Sequence, residues 1–234
     1  MDRVKLQNRT DTKFVFRADL LPIILEDIKD KYSILEIKDN RTTSYKTLYY
    51  DTKELNSYIQ HHNGKANRIK VRFRKYIESN LNYLEVKFKN NKARTIKSRK
   101  KIDVIETNLS KESKDFIEEH SFYKGDDIIP VLWNEFTRLT LVHKTKNERL
   151  TIDLNLAFKS VNTNEKKEIP HIIIAEVKQE KASGNSDFIK TIRKHHIRKS
   201  SMSKYCIGTA LLNQNLKQNN FKERILKIKK LKQC

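Results

Sequence analysis

The sequence predicts an α+β protein built on an eight-stranded antiparallel β-barrel, and two observations carry that prediction. The first is alternation. In Ile69-Lys70-Val71-Arg72-Phe73-Arg74, Leu84-Glu85-Val86-Lys87-Phe88-Lys89, Arg149-Leu150-Thr151-Ile152-Asp153-Leu154 and Glu176-Val177-Lys178, polar or charged residues alternate with apolar ones. Successive side chains of a strand point to opposite faces, so each segment sorts its charges onto one side and its apolar groups onto the other. The second observation is that the charged face is basic on strand after strand. A sheet closed into a barrel turns such a face inward and makes a cation-lined interior suited to polyanions.

Alternation together with β-branched and aromatic enrichment places strands at Thr12–Arg17, Tyr45–Asp51, Asn67–Ile77, Asn82–Asn90, Arg94–Ile102, Val131–His143, Arg149–Phe158 and His171–Glu180. Short polar turns at Glu78-Ser79-Asn80, Asn90-Asn91-Lys92 and Thr145-Lys146-Asn147 join their neighbours as hairpins. The sheet is therefore mostly antiparallel. Asp19 is placed to cap a helix running to about Lys29, with Pro22 near its start where a helix tolerates proline. Asp51 or Thr52 caps a short helix through Tyr58, Ser110 a third containing Phe116 and Ile117, and Ser201 or Ser203 a fourth reaching Leu216. Phe221–Lys232 is a basic amphipathic helix with Phe221, Ile225, Ile228 and Leu231 roughly aligned. Docking on the barrel is the expected role of this tail, ahead of a membrane tether or a gate over one barrel mouth. No repeat or composition break divides the chain, so residues 1–217 form the barrel domain and 218–234 a terminal helix on the same domain.

Composition narrows the partner class. With 50 Lys and Arg against 29 Asp and Glu the chain carries a formal charge of +21, which attracts phosphates of any kind. Only four Gly and three Pro occur, so glycine-rich phosphate loops are excluded and phosphate binding falls to side chains. Cys206 and Cys234 have no metal-ligand spacing and read as reduced thiols. Met1–Lys5 lacks the apolar core of a signal peptide, and no segment approaches the ~20 apolar residues of a membrane span. The expectation is a cytoplasmic protein, with peripheral attachment at the inner face of a membrane left open by its charge.

Arg72 and Arg74 lie two residues apart on one strand face, about 7 Å from each other, a spacing suited to gripping neighbouring phosphates. The bland alternative is a basic solvated face, and repetition on other strands favours function. Glu85 with Lys87, and Glu176 with Lys178, place a carboxylate and an ammonium on one face. Each is either a structural ion pair or a carboxylate available to Mg²⁺ or Mn²⁺ bound to phosphates. Glu176 is the stronger metal candidate because the apolar run Ile172–Ala175 buries its strand. Arg138 and Arg149 flank the Thr145–Asn147 turn, so hairpin geometry is expected to bring them to adjacent positions, and Asp153 is expected to orient a guanidinium. Lys97, Arg99 and Lys101 form another single-face set. His61, His62, His195 and His196 come in adjacent pairs without metal spacing and read as exposed loop residues. No Gly-x-Ser-x-Gly, Walker-type or Cys–His pattern supports a covalent nucleophile.

These residues, taken with Thr12-Lys13-Phe14, Lys70–Tyr76, Leu84–Lys87, Thr137-Arg138, Arg149–Asp153, Ala175–Lys178 and Met202-Ser203-Lys204-Tyr205-Cys206, resemble the VTC domain. That family is the polyphosphate polymerase branch of the triphosphate tunnel metalloenzymes. The resemblance spans nearly the whole chain and implies an eight-stranded tunnel barrel. It implies ATP as substrate and a reaction that passes its γ-phosphoryl group to a growing inorganic polyphosphate chain. By position, Arg72, Arg74, Lys87, Arg138 and Arg149 become the catalytic cations. Lys13, Lys97, Arg99, Lys178, Ser203 and Lys204 become the nucleotide- and phosphate-binding residues, and Glu176 the ligand of Mn²⁺ or Mg²⁺. Orthophosphate or pyrophosphate and a membrane partner protein are further partners compatible with this reading.

Two departures stand out. Ser201 sits where a basic residue commonly precedes the Phe-Ser-Lys element, whose Phe is here Met202. The Asn8–Lys13 segment lacks the Glu-x-Glu-x-Lys of hydrolytic and cyclase members, which weakens the triphosphatase alternative. A catalytically silent polyanion binder is the rival from another class. Nucleic acid ranks low because Phe73 and Phe88 fall on the face opposite the cations, where they cannot stack bases.

Overall fold

In the computed structural model, which describes residues 10–92, 94–180 and 185–233, ten strands form one antiparallel sheet. The segment 1–9 and Cys234, read above for a leader and for thiol state, lie outside the described residues. The strands are β1 (Thr10–Arg17), β2 (Tyr32–Ile34), β3 (Thr42–Thr52), β4 (Arg68–Tyr76), β5 (Leu81–Lys89), β6 (Thr95–Ile102), β7 (Ile128–His143), β8 (Glu148–Ser160), β9 (Lys166–Ile169) and β10 (Ile172–Gln179). The helices are α1 (Leu21–Ile28), α2 (Asn56–His62), α3 (Lys111–His120), α4 (Asp187–Lys194), α5 (Lys204–Leu212) and α6 (Lys222–Gln233). The main ladder runs β1-β10-β8-β7-β3-β4-β5-β6, with β2 added to β7 and β9 to β8. Among the described residues no pairing joins β1 to β6. The barrel is thus a curled sheet with an open seam, and residues of both edge strands nevertheless line one cavity.

All eight strands expected from alternation are present, seven of them with buried apolar residues; β6 has no buried residue and is held by its ladder to β5. β2 and β9 were not expected: three or four residues are too few for alternation to register. Helix α4 was also missed, although Ser186 caps it by accepting from the Ile189 N–H and Phe188, Ile189 and Ile192 are buried. Asp19 does not cap α1; it lies in a 3₁₀ turn and binds the Arg17 guanidinium at 2.9 Å. The helix expected to reach Leu216 stops at Leu212, before Asn213.

The apolar outer face of the sheet is covered in two places. Phe14, Phe16, Leu150, Ile152, Ile173, Ala175 and Val177 pack beneath α1 and α4. Leu48, Tyr50, Ile69, Val71, Phe73, Leu84 and Val86 pack beneath α3. The inner face divides. One end of β1, β10, β8 and β7 carries Val15, Ile172, Ile174, Leu156, Phe158, Leu132 and Phe136, and α5 is buried against them with Tyr205, Cys206, Ile207 and Ala210. A helix buried on nearly every side must be apolar nearly all round, as α5 is. Gly208 permits the fit, since a Cβ there would stand 2.4 Å from the Phe158 ring. Phe221, just before α6, and Ile225 and Ile228 of α6 join the same cluster beside Tyr58 of α2. The rest of the inner face is left to charge.

Candidate functional site

The charged half of the interior is a cavity of about 1600 Å³ lined by every strand of the main ladder and by the start of α5. Strand parity decides what reaches it. β4 sends in Arg68, Lys70, Arg72 and Arg74, while Ile69, Val71 and Phe73 go to the outer core. β10 sends in Glu176 and Lys178, with Ala175 and Val177 outward. Ser203 caps α5, accepting from the Cys206 N–H at 3.3 Å, so the helix begins at the cavity floor and presents Lys204 there.

Three carboxylates organise the cations in clamps. Glu85, fully buried on β5, accepts from Arg72 Nε at 2.6 Å and pairs with Lys97 across the next strand. Burial alone would raise its carboxyl, but Arg72, Arg74 and Lys97 hold it well below the usual carboxylate range. Asp153 takes the Arg138 guanidinium in a two-pronged bond, 2.5 Å from Nε and 2.8 Å from Nη2, and also pairs with Lys204. It too is held low, against burial, by Lys204 and Arg138. Glu176 lies between Lys13, at 2.5 Å, and Lys178. Burial opposes its charge, and the two lysines hold it well below the usual range. For Lys178 the burial penalty outweighs Glu176, and its ammonium is pushed down to about 8.

Among the described residues, Arg74, Lys70 and Lys87 form no ion pair with a carboxylate. Arg74, 7% exposed, donates weakly to Thr47 Oγ1 at 3.4 Å and otherwise faces the Tyr45 and Phe136 rings at 5.1 and 5.8 Å. Lys70 donates to Ser203 Oγ at 2.7 Å. Strand register sets Lys70 opposite Lys87 and Lys87 opposite Lys97, a row of three ammonium groups across β4, β5 and β6. Like charges directly opposite one another are destabilising in a sheet. Lys87 responds: Arg72 first, then burial, Arg74 and Lys97 push its ammonium well below the ordinary value. Such a row is retained at a cost to the empty fold, and an anion relieves it.

All twelve residues singled out from the sequence line this cavity: Lys13, Arg72, Arg74, Lys87, Lys97, Arg99, Arg138, Arg149, Glu176, Lys178, Ser203 and Lys204. Arg138 and Arg149 are not adjacent as expected from the hairpin. Arg138 stands opposite Asp153, whereas Arg149 stands opposite Val142 and, on its other side, Lys178. Asp153 does orient a guanidinium. The reading of exposed histidines fails for His62, which is 3% exposed on α2, bonded through Nδ1 to Asn63 and through Nε2 to the Asn220 N–H. Sequence reasoning missed Lys70 and the tyrosines Tyr45, Tyr49 and Tyr76 on the cavity wall, although Lys70 shares the parity of Arg72 and was legible on that ground.

Among the described residues no cluster of three or more His, Cys, Asp or Glu side chains is placed to hold a metal ion. The donor set therefore fits a metal that brings phosphate and water ligands with it and needs one carboxylate, not a metal held in an all-protein cage. No helix among the described residues is long and apolar enough to cross a membrane.

No curated protein matches the chain in sequence. Solved structures share its fold. A candidate adenylate cyclase from Vibrio parahaemolyticus aligns with a TM-score of 0.50 at 11% identity, covering 86% of this chain and 98% of that one. A candidate adenylate cyclase from Bacillus halodurans aligns with a TM-score of 0.50 at 9% identity, covering 84% and 96%. At such identities the likeness speaks for the fold alone. The sequence speaks for more: the VTC domain model matches residues 8–213, so this chain, with its curled sheet and cation-lined interior, belongs to the VTC domain family.

Proposed function

We propose that this protein is an ATP-dependent polyphosphate polymerase that transfers the γ-phosphoryl group of ATP to the end of a growing inorganic chain within the cavity. The observation that carries this reading is the Lys70–Lys87–Lys97 row, in which Lys70 and Lys87 have no ion pair among the described residues, beside Arg74 in a cavity long enough to be lined from both ends of β4. A single phosphate does not need so extended a cationic wall; a chain of them does. Family membership supports a polyphosphate or triphosphate substrate.

In this reading a terminal oxygen of the chain attacks the γ-phosphorus, the bond from that phosphorus to the β–γ bridging oxygen breaks, and ADP leaves. Phosphoryl transfer depends mainly on in-line positioning and on cations around the transferred oxygens. Arg72 and Arg138, each locked by its carboxylate, are pre-oriented to hold phosphate oxygens without reorganising. Arg74, Lys87, Arg149 and Lys204 supply further charge, and Lys13, Lys97, Arg99, Lys178 and Ser203 bind the flanking phosphates. Glu176 would hold Mn²⁺ or Mg²⁺ carried on the triphosphate, which would supply neutralisation of phosphate charge. Residues 1–217 act as the tunnel domain, with 218–234 docked against it.

The test is incubation of the purified chain with ATP and Mn²⁺, followed by electrophoretic sizing of the product. Acid-labile chains longer than triphosphate, with ADP released in step, are expected. Orthophosphate release from triphosphate without chain growth assigns a triphosphatase instead. Tight polyphosphate binding with neither reaction assigns a binding protein.

A further inference from the structure

By strand register the cavity lining reaches both ends of the sheet, with Asp11, Thr42 and Glu78 at one and Arg68, Lys89, Arg94 and Thr95 at the other. At this second end Arg68 stands opposite Lys89, one row beyond Lys70 and Lys87. Helix α2 packs against β4, and its His61 ring meets Phe221, in the turn before α6, edge-on at 5.9 Å. The Arg224 guanidinium lies over the same Phe221 ring at 6.0 Å, so the start of α6 stands beside α2.

The surroundings of His61 show how much charge collects there. Burial, then Lys70, Arg68, Arg224 and Lys89, push its imidazole down to about 2, so the ring stays neutral among four cations. Its Nδ1 is buried and has no hydrogen-bond partner among the described residues. None of the four cations forms an ion pair with a described carboxylate. Arg68 donates to the Lys65 carbonyl at 2.8 Å, Arg224 to the Asn220 carbonyl at 2.8 Å, and Lys70 to Ser203. Residues 222–233, Arg224 among them, lie beyond the span matched by the family model.

The geometry points to a second anion site at this end of the cavity, in which Arg68 and Lys89 of the barrel and Arg224 of α6 receive the linear phosphate chain as it leaves. Identification of the occupant as inorganic polyphosphate rests on the polymerase reading; the anion site itself rests on the four uncompensated cations. The exposed lysines Lys222, Lys229 and Lys230 continue the positive surface along α6. A short anion satisfied within the tunnel does not reach Arg224, and a long one does.

The experiment compares tripolyphosphate with a long-chain polyphosphate by calorimetric titration of the full chain, as wild type, Arg224→Gln and Arg224→Lys. Arg224→Gln is expected to weaken the long chain about fivefold, the worth of one charge-assisted contact near a surface, and to lower the salt slope of its affinity by about 1. Tripolyphosphate affinity is expected to stay unchanged, and Arg224→Lys to restore most of the loss. If Arg224→Gln lowers the thermal midpoint, Lys89→Gln provides the same comparison from the barrel side. Equal weakening of both ligands, or of neither, overturns the proposal. Loss of binding to phosphatidylserine vesicles with long-chain affinity intact also overturns it, by assigning the cations to a membrane surface. Failure of the polymerase reading appears elsewhere, as absence of chain growth from ATP, and leaves this length-dependent binding difference standing.

Discussion

The two walls of the tunnel handle charge in opposite ways. The wall made by β1, β10, β8 and β7, completed by α5, sets Glu176 and Asp153 among Lys13, Lys178, Arg138 and Lys204, so that each carboxylate clamps two cations. The wall made by β4, β5 and β6 has one buried carboxylate, Glu85, for Arg72 and Lys97, and leaves Arg74, Lys70 and Lys87 with none. A clamped cation is rigid and largely neutralised. An unclamped one is costly to the fold and strongly attractive to an anion. On the proposed function, the first wall would orient and hold a metal-bearing phosphate, and the second would attract a polyanion.

The sharpest break between the walls is expected at Glu176. Glu176→Gln removes the only carboxylate assigned to metal and should lower turnover by about 100-fold or more, while phosphate affinity is kept or raised because Lys13 and Lys178 are released. Metal-dependent assays alongside triphosphate binding separate the two effects, and normal turnover at low Mn²⁺ would remove Glu176 from the metal site.

Next comes a difference within the second wall. Arg72→Ala strands fully buried Glu85 with Lys97 alone and is expected to cost about 3 kcal/mol of stability as well as activity. Arg74→Ala breaks no ion pair and should lose activity with little change in urea midpoint. Equal destabilisation by both would show that the clamp at Glu85 is not what holds Arg72.

Lys87→Met tests the cost of the row itself. Removing a half-buried ammonium that faces Lys70 and Lys97 is expected to stabilise the chain by about 1 kcal/mol and weaken polyphosphate about tenfold. Lys178→Met, on the clamped wall, is expected to destabilise instead, because Glu176 keeps only Lys13.

The smallest effect is in pH. The folded ammonium of Lys178 sits at about 8, below the ordinary lysine value of 10.5, so its proton leaves the native state before the unfolded one. Its contribution therefore makes stability rise with pH between about 8 and 10.5, while the cation it offers to phosphate is lost over the same window. The free-enzyme profile of kcat/KM should fall above about pH 8, and Lys178→Arg should move that limb upward. A flat profile to pH 10 would mean that Lys178 does not contact substrate.

Much of this was readable before any coordinates. Alternation located the long strands because all but the edge strand β6 have one face in a core, and parity put Arg72, Arg74, Lys87, Glu176 and Lys178 on the opposite face. What parity does not carry is register. The Lys70–Lys87–Lys97 row and the Arg138–Asp153 pair depend on which residues stand opposite, and the separation of Arg138 from Arg149 follows from the same ladder. Nor does alternation reveal that α5 fills half the interior, since its uniformly apolar sequence has no face to read. The histidines were misread for a related reason: His62 is covered by the turn Asn219–Phe221 that leads into α6, a contact between residues 158 apart in the chain.

The unclamped wall also makes the stability of this protein depend on its surroundings. Its folded state offers anions a concentrated cationic surface that its unfolded state lacks, so any phosphate species in the medium shifts the folding equilibrium by mass action. At a free concentration 100 times the dissociation constant that shift is about 2.7 kcal/mol. A melting temperature measured in phosphate buffer and one measured without it describe two different thermodynamic states, and in a cell the protein is firmest where phosphate is plentiful.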